Sequence, residues 1–434
     1  MTVVLDLVYL LGVLLVGPFY LLIRIARGKR LASPLQRLGF VDMPEDDGRC
    51  TVWLHGVSVG EVLAARALVA ALRAEFPDVR PIITSTTVTG LETARRTYPD
   101  LLVLPCPYDL SGAVRRFVRR TRPRLLVLLE LELWPNTLAT CRARGIPVVL
   151  ANAKISERSR DGYARFARVL PRFLDGVTVC AQSEDHGARF AGLGLAERTT
   201  VTGNLKYDNV RFDPGCPRRE DLRREHGFPD AVRILVAGST HAGEEAILVE
   251  AAKRIRADEA DFRLVLAPRH PERIAEVAAF CEDAGLVLGR RSRPAEVLDP
   301  ACLLIDTMGE LADLYGLADV AFVGGTLVPV GGHNLLEPAA FGLPLVVGPH
   351  IHTVQDSAAE LRSAGALHDV REPKEVKTVV ENLLASPVAR SRATEGARAV
   401  IARHGGSARR TMSVVAGLLR DEPDAAAAQE SEPT

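Results

Sequence analysis

The sequence has no excess of charge of either sign. Lys and Arg together number 54 and so do Asp and Glu, in a chain of 434 residues. That balance gives no signal for nucleic acid and leaves any anionic ligand to a local cluster. Paired cysteines are missing too. The cysteines are Cys50, Cys106, Cys141, Cys180, Cys216, Cys281 and Cys302, odd in number, widely spaced and without a C-x-x-C. This excludes a disulfide framework or a zinc site and predicts reduced, mostly buried thiols in a cytosolic compartment. No metal-ligand cluster is visible, so no metal and no cofactor are expected. Beyond the N-terminus no apolar run is long enough to cross a bilayer, which excludes a pore or a transporter. The length implies two or three domains, and 47% hydrophobic residues suffice for ordinary cores.

What is present begins with one apolar run. Val3 to Ile25 holds a single charge, Asp6, before Arg24, and Arg27, Lys29 and Arg30 follow. About twenty such residues span a bilayer core. The run is too long for a signal-peptide core, and no small-residue cleavage site follows it. The basic flank puts everything after it on the cytoplasmic side. Residues 1–30 are therefore expected to be a single spanning anchor. An interfacial helix, favoured by a kink at Gly17-Pro18, is the alternative. Either places the remaining chain at a membrane surface.

The first half then repeats one pattern of apolar strand, polar turn and helix. Thr51–His55 leads through Gly56-Val-Ser-Val-Gly60 into a helix opened by Glu61, with apolar residues at helical spacing to Leu72. A first-turn Glu complements the helix dipole. The same position also faces the C-terminal sheet edge, where open α/β proteins bind ligands. Pro81–Ser85 and Leu101–Leu104 are the next strands. A helix from Leu110 to Thr121 carries Arg115, Arg116, Arg119 and Arg120, a solvated face or one that meets anionic headgroups. Leu125–Leu129 ends in Glu130-Leu-Glu-Leu-Trp-Pro-Asn136, two carboxylates where a core explanation fails. Val148–Leu150, Gly176–Cys180 and Thr199–Thr202 are further strands. Polar residues collect at these strand ends: Glu61, Ser85, Glu130, Glu132, Asn152, Lys154, Ser183 and Lys206. A series at one edge argues for a cleft.

Residues 208–230, rich in Pro, Gly and charge, are expected to be a linker. The pattern restarts with strand Arg233–Ala237 and turn Gly238-Ser-Thr-His241, so two doubly wound α/β domains facing a cleft are expected. Phe262–Leu266 leads into Pro268-Arg-His-Pro271, and Cys302–Ile305 into Asp306-Thr-Met-Gly-Glu310. Val320–Val323 leads through Gly324-Gly325 and Gly331-Gly332 into a helix expected near His333-Asn334, with Glu337 and Pro338 in its first turn. Glycines let backbone approach a ligand, and a helix start offers N–H groups to an anion. The tail 421–434 is low in complexity and is expected to be disordered.

Taken together these segments resemble the Kdo (3-deoxy-D-manno-octulosonic acid) transferases of lipid A biosynthesis, which are two-Rossmann (GT-B) glycosyltransferases. The resemblance rests on His55-Gly-Val-Ser-Val-Gly-Glu61, Glu130-Leu-Glu-Leu-Trp-Pro-Asn136, Asn152-Ala-Lys-Ile-Ser156, Gly203-Asn-Leu-Lys206, Gly238-Ser-Thr-His241, Pro268-Arg-His-Pro271, Asp306-Thr-Met-Gly-Glu310 and Gly331-Gly-His-Asn-Leu-Leu-Glu-Pro338. They follow the family's order from the anchor to about residue 350. One departure is Lys154-Ile155 for the usual Arg-Leu, a cation kept without the planar fork.

The resemblance implies an acceptor-side domain at 31–207 and a nucleotide-sugar domain at 231–420. It implies transfer of Kdo from a CMP-Kdo donor to a lipid A precursor (lipid IVA), inverting and metal-independent, at the cytoplasmic face of the inner membrane. Glu61 is then the general base, and Glu130 or Glu132 and Lys206 support the transition state. Pro268, Arg269, Met308, Gly309, Glu310, Asn334, Leu335, Leu336 and Glu337 hold CMP. Ser58, Ser239, Thr240, His241, His270, Gly331, Gly332 and His333 are further donor or acceptor contacts. The dipole is expected to hold Glu61 ionised and weakly basic, acting by position. A UDP-sugar transferase on a lipid carrier would keep the anchor. A nucleotide-sugar epimerase would share the lobes but be soluble. An inactive scaffold need not keep Glu61 and Arg269 together.

Overall fold

The computed structural model describes Asp6, Leu7, Tyr9, Leu11 and residues 33–45, 47–165, 170–214, 216–294 and 296–420. The rest of the expected anchor and the tail from 421 lie outside the described residues. Among the described residues no helix is long and apolar enough to cross a membrane.

The chain forms two compact units. The first holds residues up to Asn209 together with those from Gly405 onward, and the second runs from Val210 to His404. Each is built on one parallel seven-stranded sheet. In the first unit the strands are β1 (Cys50–His55), β2 (Val79–Ser85), β3 (Leu102–Pro105), β4 (Pro123–Leu129), β5 (Val148–Ala153), β6 (Val177–Ala181) and β7 (Thr199–Val201), in the order β3-β2-β1-β4-β5-β6-β7. Continuous apolar runs such as Leu125–Leu129 belong in a sheet covered on both faces. All five of these residues are buried. Core residues lie on both sides of the sheet. Trp53 packs on Phe117 with ring centroids 4.7 Å apart, and its indole N–H donates to Thr84 Oγ1 at 2.8 Å.

In the second unit the strands are β8 (Arg233–Thr240), β9 (Phe262–Pro268), β10 (Leu288–Arg290), β11 (Cys302–Leu304), β12 (Val320–Val323), β13 (Leu345–Val347) and β14 (Leu367–Asp369). Their order is β10-β11-β9-β8-β12-β13-β14. None of the seven cysteines is in a disulfide; Cys50 and Cys216 are half-buried and the rest buried.

Three features differ from the sequence reading. Strands β10 and β14 have only three residues each, too few to show a period. Residues 208–230 contain a helix, Arg219–Glu225. The last helix, Ser407–Arg420, belongs to the first unit, whereas 231–420 was expected to be one domain. The physical reason is its apolar stripe: Met412, Val415, Ala416 and Leu419 are buried in the first core. Its start is held by Asp208, whose carboxylate accepts from the Gly406 N–H at 2.6 Å.

Candidate functional site

The strand order reverses across the middle of each sheet, between β1 and β4 in the first unit and between β8 and β12 in the second. The crevice outside the carboxyl ends of strands at such a point is where open α/β sheets bind ligands.

In the first unit Glu61 stands just beyond β1, in the short helix Val59–Ala64. Ser58 is its N-cap, with Oγ accepting from the Glu61 N–H at 3.3 Å. The Glu61 carboxylate reaches back, accepting from the Val57 N–H and from Ser58 Oγ at 2.7 Å each. This is a capping box extended by one residue. Burial raises the Glu61 carboxyl above its ordinary value. The field of Glu130 adds to the rise, and the bonds from Ser58 and Val57 only oppose it. The expectation of a weak base therefore fails: desolvation outweighs the helix dipole.

The other residues expected here lie at the ends of neighbouring strands. Glu130 follows β4 with φ +62° and Asn152, one residue before the end of β5, has φ +55°, both in the left-handed region. Such strain at non-glycine residues collects at functional sites. Glu130 pairs with Lys154 at 2.8 Å. Burial, then the field of Glu61, pushes Glu132 up to about 7. Burial pulls the Lys206 ammonium below its ordinary value, against the attraction of Glu130. Asn152 Oδ1 accepts from the Leu205 N–H at 2.9 Å, which fixes the loop carrying Lys206. Glu61, Glu130, Glu132, Lys154 and Lys206 thus form one electrostatically linked group.

In the second unit the structure brings three of the expected segments together. His241, after β8, stands with Nε2 2.7 Å from His333 Nε2, after β12. The two rings are parallel to within 6°, and His270, after β9, lies edge-on to His241 at 5.2 Å. The Arg269 N–H donates to Thr240 O at 2.9 Å, tying the end of β9 to that of β8, and Arg269 is exposed. Ser239 has φ +56°. Gly324 packs so closely on Ser239 that a Cβ there would lie 2.2 Å from the Ser239 carbonyl oxygen.

Two expected features are arranged differently. Glu310 is bound to Arg291 at 2.7 Å. Thr307, and after it Arg291, holds its carboxyl below the ordinary value. Met308 beside it is exposed and Gly309 has φ +94°. The helix expected from His333-Asn334 starts later, at Leu336. Asn334 precedes it, accepting from the Leu336 N–H and donating to Glu337 Oε1 at 3.0 Å each. Pro268, Leu335 and Leu336 are buried and Glu337 is half-buried.

Sequence reasoning missed Glu244. It is wholly buried, and its carboxylate accepts from the N–H groups of His241, Gly325, Thr326 and Leu327. Nothing in a first-turn Glu of an ordinary helix signals this. Lys154 was seen as a polar strand-end residue and as a replaced arginine, but its pairing with Glu130 depends on adjacent strand ends.

Two parallel sheets with polar groups at their switch points define a two-Rossmann α/β protein of the GT-B kind. A glycosyltransferase from Rickettsia africae has that fold, with TM-score 0.55, 13% identity and coverage of 86% of this chain and 100% of its own. The family follows from closer relatives. Residues 33–209 match the family described as 3-Deoxy-D-manno-octulosonic-acid transferase (kdotransferase). The 3-deoxy-D-manno-octulosonic acid transferase of Bordetella pertussis is 38% identical over 85% of this chain and 87% of its own length. That of Haemophilus influenzae is 33% identical over 90% and 92%. The chain belongs to the Kdo transferase family.

Proposed function

We propose that this protein transfers Kdo from CMP-Kdo to a glucosamine hydroxyl of a lipid A precursor, releasing CMP, with inversion and without a metal. The supporting observation is the linked carboxylate–lysine group at the switch point of the first sheet, in a chain of this family. The acceptor oxygen attacks the anomeric carbon, its proton passes to Glu61, and the bond to phosphate breaks with its electron pair leaving on CMP. An alcohol is barely acidic, so proton removal accompanies attack. A base raised by burial is better matched to that task than an ordinary carboxylate. Glu130 or Glu132 and Lys206 support the transition state from the neighbouring strand ends.

The second unit takes the nucleotide in this reading. Pro268, Arg269, Met308, Gly309, Glu310, Asn334, Leu335, Leu336 and Glu337 hold CMP, with the Asn334-oriented Glu337 carboxylate suited to the ribose hydroxyls. Residues 1–30 attach the protein to the cytoplasmic face of the inner membrane, lying along the interface rather than across it. Asp6 near their start bonds to Ser111 of the first unit, whereas a spanning segment would hold it on the far side. The test is a release assay with CMP-Kdo and lipid A precursor. CMP should appear only when both are present; turnover of a UDP-sugar in place of CMP-Kdo would sink the reading.

A further inference from the structure

The glycine loop after β12 would ordinarily be read as an anion cradle, but its amides are already used. The Gly324 N–H donates to Gly238 O at 2.8 Å, and those of Gly331 and Gly332 both donate to Gly325 O, at 3.0 and 2.8 Å. The Gly325, Thr326 and Leu327 N–H groups go to Glu244, a wholly buried carboxylate that occupies the cradle as its resident anion. A second anion would find no free glycine amide in either pair and a fixed negative charge behind them.

What the loop presents instead is His333, in contact with His241. We propose that His241 and His333 form a proton-accepting anion site, which binds the phosphate of the donor nucleotide as one of the two imidazoles takes up a proton. The site rests on the nucleotide reading given above. A contact of 2.7 Å between two Nε2 atoms holds one hydrogen, donated by one ring and accepted by the other. A second proton cannot enter without parting the rings, because two N–H groups would then point at each other. The imidazolium freed in that way is a charge-assisted donor for an anion.

The surroundings set the sign. Facing the pair are Arg269, His270 and Arg273 after β9, and Glu244 and Glu245 at the start of the helix Glu244–Asp258. His352 lies against Gly331, where a Cβ would come 2.6 Å from its Nε2. Glu245 is itself engaged by Arg273 at 2.7 Å. Without a ligand, burial and the adjacent cations hold both imidazoles neutral, with His333 pushed down to about 4. A phosphate against the pair supplies the missing counter-charge and reverses that shift. Binding therefore takes up a proton at pH values between the free and the bound titration points. There affinity falls by up to about tenfold per pH unit as pH rises.

The experiment is calorimetry of CMP binding to the full chain in buffers of different ionisation enthalpy at pH 7.5, repeated with cytidine and with the variants His333→Gln and His241→Gln. The wild type should show proton uptake with CMP and none with cytidine. Each variant should lose the uptake and bind CMP about 10–100-fold more weakly at pH 6.5, with a smaller deficit at pH 9. CMP binding with buffer-independent heat, unchanged in the variants, overturns the imidazole site and leaves the nucleotide reading standing. If CMP does not bind, the nucleotide reading fails. Imidazole ¹⁵N shifts during titration with inorganic phosphate then decide the site alone: movement of the His241 and His333 signals toward imidazolium supports it, and static signals overturn it.

Discussion

Glu61 is under two opposing demands. As a capping residue it should be ionised, because its carboxylate accepts from the Val57 N–H and Ser58 Oγ. As a base it should hold a proton readily, and burial moves it that way. Glu61→Gln should fold with a loss of about 0.5–2 kcal/mol, as for a helix cap, still bind CMP, and transfer Kdo roughly a hundredfold more slowly or worse. A thermal melt and a transfer assay on one preparation separate the roles. Near-normal turnover would move the search to Glu132, which burial pushes up to about 7. The base works only when deprotonated, so wild-type activity should fall as pH drops through the raised Glu61 value. That acid limb should lie above the ordinary carboxylate range and vanish in Glu61→Gln. Arg269 gives a second residue-level outcome. Arg269→Ala should weaken CMP binding by about 1.5–3 kcal/mol, as expected for a charge-assisted bond, and unchanged affinity by calorimetry would remove Arg269 from the site. Both residues were visible in the sequence, because each follows an apolar strand at a glycine- or proline-marked turn. The rise in Glu61 was not, since burial depends on what the fold packs around it.

At the scale of elements, the stretch from β12 to the helix Leu336–Ala340 shows where local pattern reaches its limit. Val320–Val323 reads as a strand because it is wholly apolar, and the structure bears that out residue for residue. The glycine pairs mark a loop correctly, but their expected use as a ligand cradle conflicts with the bonds they make. The carboxylate that fills the loop is 81 residues away from Gly325 in the chain and its partners are backbone amides, so no spacing reveals it. Glu244→Ala would leave four N–H groups without their acceptor. A buried donor left unpaired costs about 1–3 kcal/mol. The variant should therefore lose about 3 kcal/mol or more by urea unfolding and bind CMP poorly, because that carboxylate holds the His241 N–H and the Gly325 end of the loop that leads to His333. A surface-like loss below about 0.5 kcal/mol would show that the loop holds its shape without Glu244.

At the scale of the whole molecule, we propose that the protein is held at a membrane. The sequence reading assigns that to residues 1–30, and the described residues there add a contact. Asp6 is the lone acid of the apolar run. Its carboxylate accepts from the Ser111 N–H at 2.9 Å and from Asn136 Nδ2 at 3.1 Å. Ser111 opens the basic helix Ser111–Thr121, so the start of the run is tied to the element whose arginines were read as a solvated face or one that meets headgroups. Those arginines are not equivalent. Arg116 donates to Leu38 O at 2.9 Å and lies over the Phe40 ring, and Arg115 turns back to Ser111. Arg119 and Arg120 stay exposed on the outer face. Deleting residues 1–30 should therefore do two things. It should release most of the protein from anionic vesicles, with a residual binding that salt removes because it rests on Arg119 and Arg120. It should also lower the melting temperature of the first unit slightly, through loss of the Asp6 bonds at about 0.5–1.5 kcal/mol each. Asp6→Asn in the full chain isolates the second effect: membrane binding should be kept while the melt shifts. Vesicle flotation of the truncated and full chains at low and high salt is the measurement. A truncated chain that floats as tightly as the full one at high salt would take the anchoring role away from this segment.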